Sequence, residues 1–455
     1  MEVSGKNILV VGLARSGMAA ARFLQAKGAH VTLTDQATEE ILGSFADEAR
    51  NLGVALELGG HHSATFRNAD LIVISPGVPH TIPPLEEARS NGIEVVGEVE
   101  LASRFITTPI VAVSGTNGKT TTTELLGNMM AASGCKVFVG GNIGNPLIEI
   151  VDRSADLDII VAEISSFQLD TIDTFHPHVA VLLNVSPDHL DRYPDIGAYA
   201  ASKRRLFENQ ECSDVAVCNG NDPLVQQQCK TIRSRILNFY SRPPENGYPV
   251  QGAIITPKQV AICTPEIGEV RIDLGRSSLL GPHNRENIAA ASLAALSSGA
   301  TVEGVQKALD SFKALSHRLE PVRTVNDVSF VNDSKATNVD AVIRALECFS
   351  QPVVLIIGGR NKGYDFSSLY HHVQKHVKKL VVIGEASEEI LAALAQAPAL
   401  GAERAVDMTQ AVRRAFAAAR AGETVLLSPA CASFDMFGSY AERGETFRQL
   451  VGELS

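Results

Sequence analysis

The sequence predicts an α/β protein whose 455 residues form three domains. Short apolar and β-branched runs alternate along the chain with segments of helical periodicity, which is typical of parallel sheets covered by helices. A chain of this length is also too long for one hydrophobic core, so ordinary domain sizes require two or three. We place the domains at residues 1–107, 108–314 and 315–455.

The composition indicates a soluble globular protein, with 45% apolar and 20% charged residues. The net charge of -11 argues against a general nucleic-acid-binding protein, which would carry a basic face. The chain has no apolar run of the roughly 18 residues that a membrane span needs, and its beginning does not resemble a signal peptide. Seven cysteines without a C-x-x-C pair indicate free thiols rather than disulfides or a zinc site. We therefore expect a cytoplasmic monomer whose partners are small molecules, without nucleic acid or a membrane span.

The first block is predicted to be a Rossmann-like domain, with strands at 7–12, 29–34 and 71–74 and a helix at 18–26. Its Gly turn, Gly12-Leu-Ala-Arg-Ser-Gly17, is followed by Asp35 at a spacing that suggests dinucleotide binding. However, Ala14 stands where G-x-G-x-x-G has its second glycine, which lets the backbone approach a pyrophosphate. Three interpretations stay open: an NAD-dependent dehydrogenase, a turn that serves only packing, and a uridine diphosphate site with Ser16 and Asp35 as contacts.

The second block begins with an apolar strand, residues 110–114, that runs into Gly115-Thr-Asn-Gly-Lys-Thr-Thr121 and a helix. Glycines at 115 and 118 let backbone N–H groups turn towards phosphate oxygens, and the helix N-terminus adds a positive dipole end. Lys119 would place a charge on the β- and γ-phosphates, and the Thr120 hydroxyl would reach Mg²⁺. The strict pattern G-x-x-x-x-G-K-[ST] has glycine where this chain has Val113. A Gly/Asn turn that contains a lysine by chance is the alternative to this predicted nucleotide phosphate site.

The rest of the chain continues the alternation. In the second block we predict strands at 159–162 and 179–183, a helix at 288–296, and an antiparallel sheet edge between 233 and 275. In the third block we predict strands at 329–331, 353–357, 380–383 and 424–427, each followed by a helix.

Polar residues follow several of these strands. Glu163 ends one strand and is a candidate Mg²⁺ ligand, and the pair Asp188-His189 follows the next strand. Arg318 lies at a domain junction, where a guanidinium would clamp a transferring phosphoryl group when the domains close. In the third block, polar turns at 332–338, 358–362 and 428–434 follow successive strands and predict a binding face.

Taken together, these motifs resemble the Mur ligase family over essentially the whole chain. The resemblance rests on Gly115-Thr-Asn-Gly-Lys-Thr120, Glu163-Ile-Ser-Ser-Phe-Gln-Leu169, Asp188-His189, His283-Asn284, His317-Arg318, Asn332-Asp-Ser-Lys-Ala-Thr-Asn338 and Leu427-Ser-Pro-Ala-Cys-Ala-Ser433. Relatives that add other amino acids, and folylpolyglutamate synthase, share the general motifs. The first-block Gly turn, the Asp333–Asn338 signature and the Ser-Pro-Ala-Cys-Ala-Ser run favour the member that adds D-glutamate.

The resemblance implies a set of site residues. For ATP these are Gly115, Thr116, Asn117, Gly118, Lys119, Thr120, Thr121, Asn284, Asn287, Arg318 and Asp333. For a UDP-sugar peptide they are Ser16, Asp35, Ser75, Pro76, Gly77, Asn142 and His189, with Arg15 and Gln36 at variable positions. For D-glutamate they are Lys335, Thr337, Lys362, Ser433 and Tyr440. For two Mg²⁺ ions they are Thr120, Glu163, His189 and Lys203, the last as a carbamate, since an ammonium would repel the cation.

The resemblance also implies a reaction in peptidoglycan precursor synthesis, with Lys119, Glu163, His189 and Lys203 as its catalytic residues. ATP phosphorylates the carboxylate of UDP-N-acetylmuramoyl-L-alanine, and the amine of D-glutamate attacks the acyl phosphate through a tetrahedral intermediate. A ligase for another amino acid, such as L-glutamate, is the closest alternative. A dehydrogenase and a non-catalytic nucleotide switch are alternatives of a different class.

Overall fold

The computed structural model describes residues 1–244, 251–279, 281–394 and 401–454. Two compact units make up the chain: Met1–Val185, Gly197–Asp273 and Ile288–Leu309 form the first, and Ser186–Ile196, Leu274–Asn287 and Asp310–Ser455 form the second. Among the described residues, no helix combines the length and the apolar character that crossing a membrane requires.

The described strands form three sheets and most of the described helices are short. The strands are β1 Asn7–Val11, β2 His30–Asp35, β3 Ala55–Leu58, β4 Leu71–Ile74, β5 Val95–Gly97, β6 Ile110–Ser114, β7 Val137–Gly141, β8 Ile159–Glu163, β9 Val179–Leu182, β10 Val215–Asn219, β11 Arg235–Tyr240, β12 Gly252–Ile255, β13 Gln259–Thr264, β14 Gly268–Asp273, β15 Glu320–Val325, β16 Val328–Asn332, β17 Val353–Gly358, β18 Val377–Ile383, β19 Glu403–Arg404 and β20 Thr424–Leu427. The α-helices are α1 Arg15–Ala26, α2 Glu39–Leu42, α3 Ser44–Leu52, α4 Ser63–Arg67, α5 Pro83–Ser90, α6 Glu98–Ser103, α7 Lys119–Ala132, α8 Ser166–Leu169, α9 Ile196–Arg204, α10 Pro223–Cys229, α11 Pro282–Ser297, α12 Val302–Ser311, α13 Val339–Leu346, α14 Tyr370–His376, α15 Ser387–Ala393, α16 Met408–Ala418 and α17 Tyr440–Gly452. Three 3₁₀ helices cover Leu147–Asp156, Arg205–Phe207 and Phe366–Leu369 among the described residues.

The first sheet is parallel, with strand order β3-β2-β1-β4-β5. Strands β1 and β4 are apolar because both faces of the sheet are covered, as the predicted Rossmann-like domain requires. Helix α1 begins at Arg15, three residues earlier than predicted. Its first turn packs tightly on the preceding loop, since a Cβ on Gly17 would lie 1.9 Å from the carbonyl oxygen of Gly12.

The second sheet has the order β14-β13-β12-β11-β10-β9-β6-β8-β7. The predicted antiparallel edge is only partly correct. Strands β12, β13 and β14 pair antiparallel, but β11 runs parallel to β10 and β12 runs parallel to β11. Helix α10 connects β10 to β11 as a crossover, which makes those strands parallel, whereas a short turn joins β12 to β13. Residues 245–250 of the predicted edge lie outside the described residues.

The third sheet has the order β15-β16-β20-β17-β18-β19 and is parallel except for the β15–β16 hairpin. That hairpin turns at Asn326 and Asp327, which both have positive φ values, 49° and 61°. Strands β16, β20 and β17 are neighbours, so the turns that follow them lie at one edge of the sheet. The α/β class is therefore confirmed, and the predicted polar turns of the third block lie together at one edge of the sheet.

Candidate functional site

The phosphate loop predicted from the sequence connects the buried strand β6 to helix α7. Gly118 is the N-cap of α7 with φ 86°, and Gly115 has φ 152°. A Cβ on Gly115 would lie 3.0 Å from the Cβ of Leu183, so this position needs glycine for conformation and for space. Val113 is a fully buried residue of β6, which explains the departure from the strict pattern: the turn here begins only at Gly115.

Two lysines meet at this loop. The Nζ atom of Lys119 donates hydrogen bonds of 2.8 Å to the carbonyl oxygens of Gly115 and Thr116. The Nζ atom of Lys203, on α9, donates to the same Gly115 oxygen at 2.9 Å and lies 4.6 Å from the ring centre of Tyr199. Lys203 is 1% exposed, and a lysine this buried is rare without a chemical role. The fold thus brings Lys203 to the loop from 84 residues away in the sequence.

Asn184, just after β9, holds the phosphate loop in place through hydrogen bonds to its backbone. Its Oδ1 atom accepts the backbone N–H of Asn117 at 2.8 Å, and its Nδ2 atom donates to the carbonyl oxygen of Asn117 at 3.0 Å. Its own carbonyl oxygen accepts the N–H of Thr116 at 2.9 Å. These three bonds fix the backbone of the loop before any phosphate binds.

Glu163 is the last residue of β8 and is 2% exposed. Its Oε1 atom accepts a hydrogen bond of 2.7 Å from Nδ2 of Asn142, while its buried Oε2 atom has no partner among the described residues. Burial, and secondarily the charge of Glu163, raise the pKa of Glu124 on α7. A buried carboxylate oxygen without a donor is costly unless a cation or donor binds it, so Glu163 fits the predicted role of a Mg²⁺ ligand.

The predicted UDP-sugar residues of the first sheet organise its turns. The carboxylate of Asp35 accepts the N–H groups of Leu13 at 2.7 Å and Ala37 at 2.8 Å. The Ser75 hydroxyl donates to the carbonyl oxygen of Gly12 at 2.9 Å. Both side chains therefore hold the Gly12–Gly17 turn, which is consistent with packing as well as with binding. The other predicted contacts lie in the first turn of α1 and the turn after β4, at Ser16, Pro76 and Gly77.

In the second unit, a cavity of about 290 Å³ brings two predicted nucleotide contacts together. Asn284 and Arg318 line it, with Lys313 and Glu320 among the other lining residues. Asn287 lies behind Asn284 and donates to its Oδ1 atom at 3.1 Å. Leu279 and Pro321 add apolar lining, and a cavity with both polar and apolar lining suits a nucleoside.

Asp333 lies next to this cavity, at the end of β16. Its Oδ1 atom accepts the N–H of Leu319 at 3.2 Å, and its Oδ2 atom accepts the Ser428 hydroxyl at 2.9 Å. Burial raises its pKa to about 7. Burial thus favours the protonated form of the side chain, which can donate a hydrogen bond as well as accept one.

The three turns at the edge of the third sheet are joined to one another. The N–H of Ala430 donates to the carbonyl oxygen of Ala336 at 2.9 Å, and Arg360 and Ala432 exchange two backbone hydrogen bonds, of 2.9 and 3.0 Å. The predicted D-glutamate residues sit on or beside these turns: Lys335, Thr337, Lys362, Ser433 and Tyr440. Two of them touch, because Nζ of Lys335 lies 3.0 Å from the Tyr440 hydroxyl and 4.4 Å from its ring centre.

His189 belongs to the second unit, on the segment Ser186–Ile196, and has φ 55°. Asp188 anchors this segment: its carboxylate accepts hydrogen bonds from the Tyr364 hydroxyl and, at 3.2 Å, from Nδ2 of Asn338. The nearby charges of His189 and Lys362 and these two bonds lower the pKa of Asp188 against the opposing effect of burial, so it stays ionised. His189 is therefore held by the same turns that carry the predicted amino-acid site.

Three residues that hold this site together, Asn184, Tyr364 and Asn338, were not among the predicted site residues. Asn338 ends the predicted polar turn 332–338, and Asn184 directly follows the predicted strand 179–183, so the end of a strand was the available signal. Tyr364 gave no local signal, because its partner Asp188 lies 176 residues away in the sequence.

Comparison with known proteins agrees with this architecture. Three family models match the chain: the Mur ligase MurD-like N-terminal domain at 6–97, the Mur ligase middle domain at 113–295, and the Mur ligase glutamate ligase domain at 317–431. Two relatives named UDP-N-acetylmuramoylalanine–D-glutamate ligase are similar over 100% of this chain. The one from Desulfosudis oleivorans is 52% identical with 98% of its length covered, and the one from Desulfatibacillum aliphaticivorans is 50% identical with 100% covered.

Solved structures show the same fold at low identity. A pseudomurein peptide ligase type C from Methanothermus fervidus matches with a TM-score of 0.61 at 19% identity, over 99% of this chain and 100% of its own. MurF from Acinetobacter baumannii matches with a TM-score of 0.61 at 17% identity, over 100% of this chain and 91% of its own. With full-length relatives at about half identity and family models along its length, the chain belongs to the Mur ligase family.

Proposed function

We propose that this protein uses ATP to join D-glutamate to UDP-N-acetylmuramoyl-L-alanine, forming an amide bond in peptidoglycan precursor synthesis. The observation that carries the proposal is the phosphate loop. Its two glycines have positive φ, and the side chains of Lys119 and the buried Lys203 both donate to the carbonyl oxygen of Gly115. The full-length relatives that carry the D-glutamate ligase name support the choice of amino acid.

The reaction needs an activated acid, because a free carboxylate is a poor electrophile. The carboxylate of the L-alanine end attacks the γ-phosphorus of ATP, and ADP leaves to give an acyl phosphate. The neutral amine of D-glutamate then adds to the acyl carbon, and the tetrahedral intermediate loses a proton and expels phosphate. As in other phosphoryl transfers, positioning and electrostatic stabilisation supply most of the rate enhancement.

In this scheme the residues of the phosphate loop hold the triphosphate: Gly115, Thr116, Asn117, Gly118, Lys119, Thr120 and Thr121. Asn284, Asn287 and Arg318 contact the nucleoside and phosphates, and Asp333 contacts the ribose. The bracing of the loop by Asn184 means that binding does not have to order it, which favours affinity.

Magnesium fits the chemistry of the residues at the loop. The unpartnered oxygen of Glu163 and the hydroxyl of Thr120 are the oxygen donors that Mg²⁺ prefers, and a carbamate on Lys203 would add two more. The family resemblance adds His189 and implies two ions. Bound Mg²⁺ would neutralise charge on the phosphates. Lys119 contributes to the same end through its ammonium.

The two substrates would occupy different parts of the chain. The turns of the first sheet, with Ser16, Asp35, Ser75, Pro76 and Gly77, together with Asn142 and His189, would bind the UDP-sugar peptide. The turns of the third sheet, with Lys335, Thr337, Lys362, Ser433 and Tyr440, would bind D-glutamate, since lysine ammonium groups suit its carboxylates. We propose domain boundaries at 1–107, 108–314 and 315–455, and a monomer that works in the cytoplasm.

An amino-acid panel tests the proposal. Purified protein is given Mg·ATP and UDP-N-acetylmuramoyl-L-alanine with D-glutamate, L-glutamate or diaminopimelate, and ADP release and the ligated product are measured. We expect turnover only with D-glutamate. The Lys119→Ala variant should lose turnover at least a thousandfold, which excludes a contaminating ATPase. Turnover with a different amino acid would change the substrate, and ADP release that ignores both substrates would refute the ligase.

A further inference from the structure

Arg443, on helix α17, is the largest fully buried side chain of the described residues and is 1% exposed. Among these residues no carboxylate oxygen lies within 4.0 Å of its guanidinium, so it forms no ion pair. Burial lowers its pKa to about 10, which still leaves it charged at neutral pH. A buried cation without a carboxylate in ion-pair contact is costly, so this guanidinium depends on hydrogen bonds to neutral oxygens.

The guanidinium connects two of the strand-end turns. Its Nε atom donates to the Ser334 hydroxyl at 3.0 Å and one Nη atom donates to the Ser334 carbonyl oxygen at 2.8 Å. The other Nη atom donates to the carbonyl oxygen of Cys431 at 3.1 Å. Ser334 follows β16 and Cys431 follows β20, so one planar side chain fixes the spacing of both turns.

The third turn packs on the same group. Gly359, after β17, has φ 137°, and a Cβ there would lie 3.2 Å from an Nη atom of Arg443. Each turn carries predicted amino-acid ligands within three residues of these contacts: Lys335 and Thr337 on the first, Ser433 on the second and Lys362 on the third. All three groups of ligands are therefore placed relative to one guanidinium.

We propose that Arg443 is a positioning residue for the amino-acid substrate: it holds the three turns, and with them the predicted ligands of that substrate, in register. The inference rests on the proposed function for the identity of that substrate. Arginine suits the role because its fork reaches three oxygens at once, whereas a lysine would supply the charge without the fixed geometry.

The test compares Arg443→Lys with Arg448→Lys on the same helix, whose side chain is 50% exposed. Using the full-length enzyme, KM is measured for D-glutamate, ATP and the UDP-sugar peptide in turn. We expect Arg443→Lys to raise KM for D-glutamate about tenfold, to leave the other two KM values within about twofold, and Arg448→Lys to change none. Equal changes in all three KM values, or a change in the unfolding temperature alone, would show a merely structural role.

A second variant keeps the test decisive if Arg443→Lys does not fold. Ser334→Ala removes the side-chain partner of Nε, together with the 2.8 Å hydrogen bond from the Ser334 hydroxyl to the carbonyl oxygen of Tyr440, and leaves the guanidinium in place. KM for D-glutamate should then rise about threefold, with the KM for ATP unchanged. An unchanged KM for D-glutamate would overturn the inference. If the wild-type enzyme uses another amino acid, the proposed substrate is wrong, and the same comparison is made with the amino acid that it uses.

Discussion

At the scale of single residues, the site depends on buried charged groups that a sequence alone would place at the surface. Lys203, Glu163, Asp333 and Arg443 are all buried. Each loses hydration on burial, and each is retained next to a turn that carries predicted substrate contacts. Burial of charge next to these turns is therefore consistent with the roles that we propose for the four residues.

Lys203 gives the sharpest residue-level prediction. We expect Lys203→Ala to lower kcat at least a hundredfold, because it removes the group that we propose to be carbamylated, and short carboxylates such as formate should restore part of the activity. ADP release is measured with and without added formate. Lys230→Ala, at an exposed lysine of the same unit, is the control and should stay active. Full activity of Lys203→Ala would contradict its catalytic role.

The buried Glu98 should make the free energy of unfolding depend on pH, and this effect is separate from catalysis. It is buried, accepts the N–H of Ile148 at 2.7 Å, and has a pKa raised by burial from 4.5 to about 7. The folded state binds this proton more tightly than the unfolded state, so the stabilisation is complete below pH 4.5 and is lost as pH rises through 7. The shift corresponds to about 3 kcal/mol.

Glu98→Gln should therefore stabilise the protein at pH 8 and change little at pH 4, as measured by urea unfolding across this range. Glu86→Gln, at an exposed glutamate of α5, is the matched control substitution. A profile of Glu98→Gln that parallels the wild type would show that Glu98 does not titrate in this range.

At the scale of elements, the phosphate loop works because its backbone is fixed between β6, β9 and α7. Gly115 is held in a conformation with φ 152°, against the Cβ of Leu183 and the backbone of Asn184. An added methyl group there would strain the turn and push it from Asn184.

We expect Gly115→Ala to raise KM for ATP at least tenfold or to abolish turnover. Gly134, in the turn after α7, also has positive φ, 95°, but a Cβ there would meet no atom within 4 Å. Gly134→Ala should cost about 1 kcal/mol of stability and leave KM for ATP unchanged. Equal kinetic effects of the two substitutions would mean that close packing at Gly115 does not matter for ATP binding.

At the scale of the whole molecule, nucleotide binding should raise the free energy of unfolding. A non-hydrolysable ATP analogue with Mg²⁺ at a hundredfold excess over its Kd should stabilise the folded chain by about 2.7 kcal/mol. We expect a rise in the midpoint of thermal unfolding for the wild type and none for Lys119→Ala. A shift that survives in Lys119→Ala would place the nucleotide elsewhere in the chain.

The sequence by itself determined the α/β class, the strand–loop–helix at Ile110–Ala132 and the polar turns of the third block. These features are local: apolar runs, glycines and a following helix leave a period and a spacing that can be recognised without the fold. The family resemblance rests on short motifs of the same local kind. It covers the chain because such motifs occur in all three blocks.

The tertiary structure alone decided which distant residues meet. The direction of β11 and β12, the brace at Asn184, the Asp188–Tyr364 contact and the three bonds of Arg443 each join segments whose pairing has no local period. Local preferences fix how a segment folds, whereas burial and hydrogen bonding across the core select its neighbours, and only the folded chain satisfies those demands together.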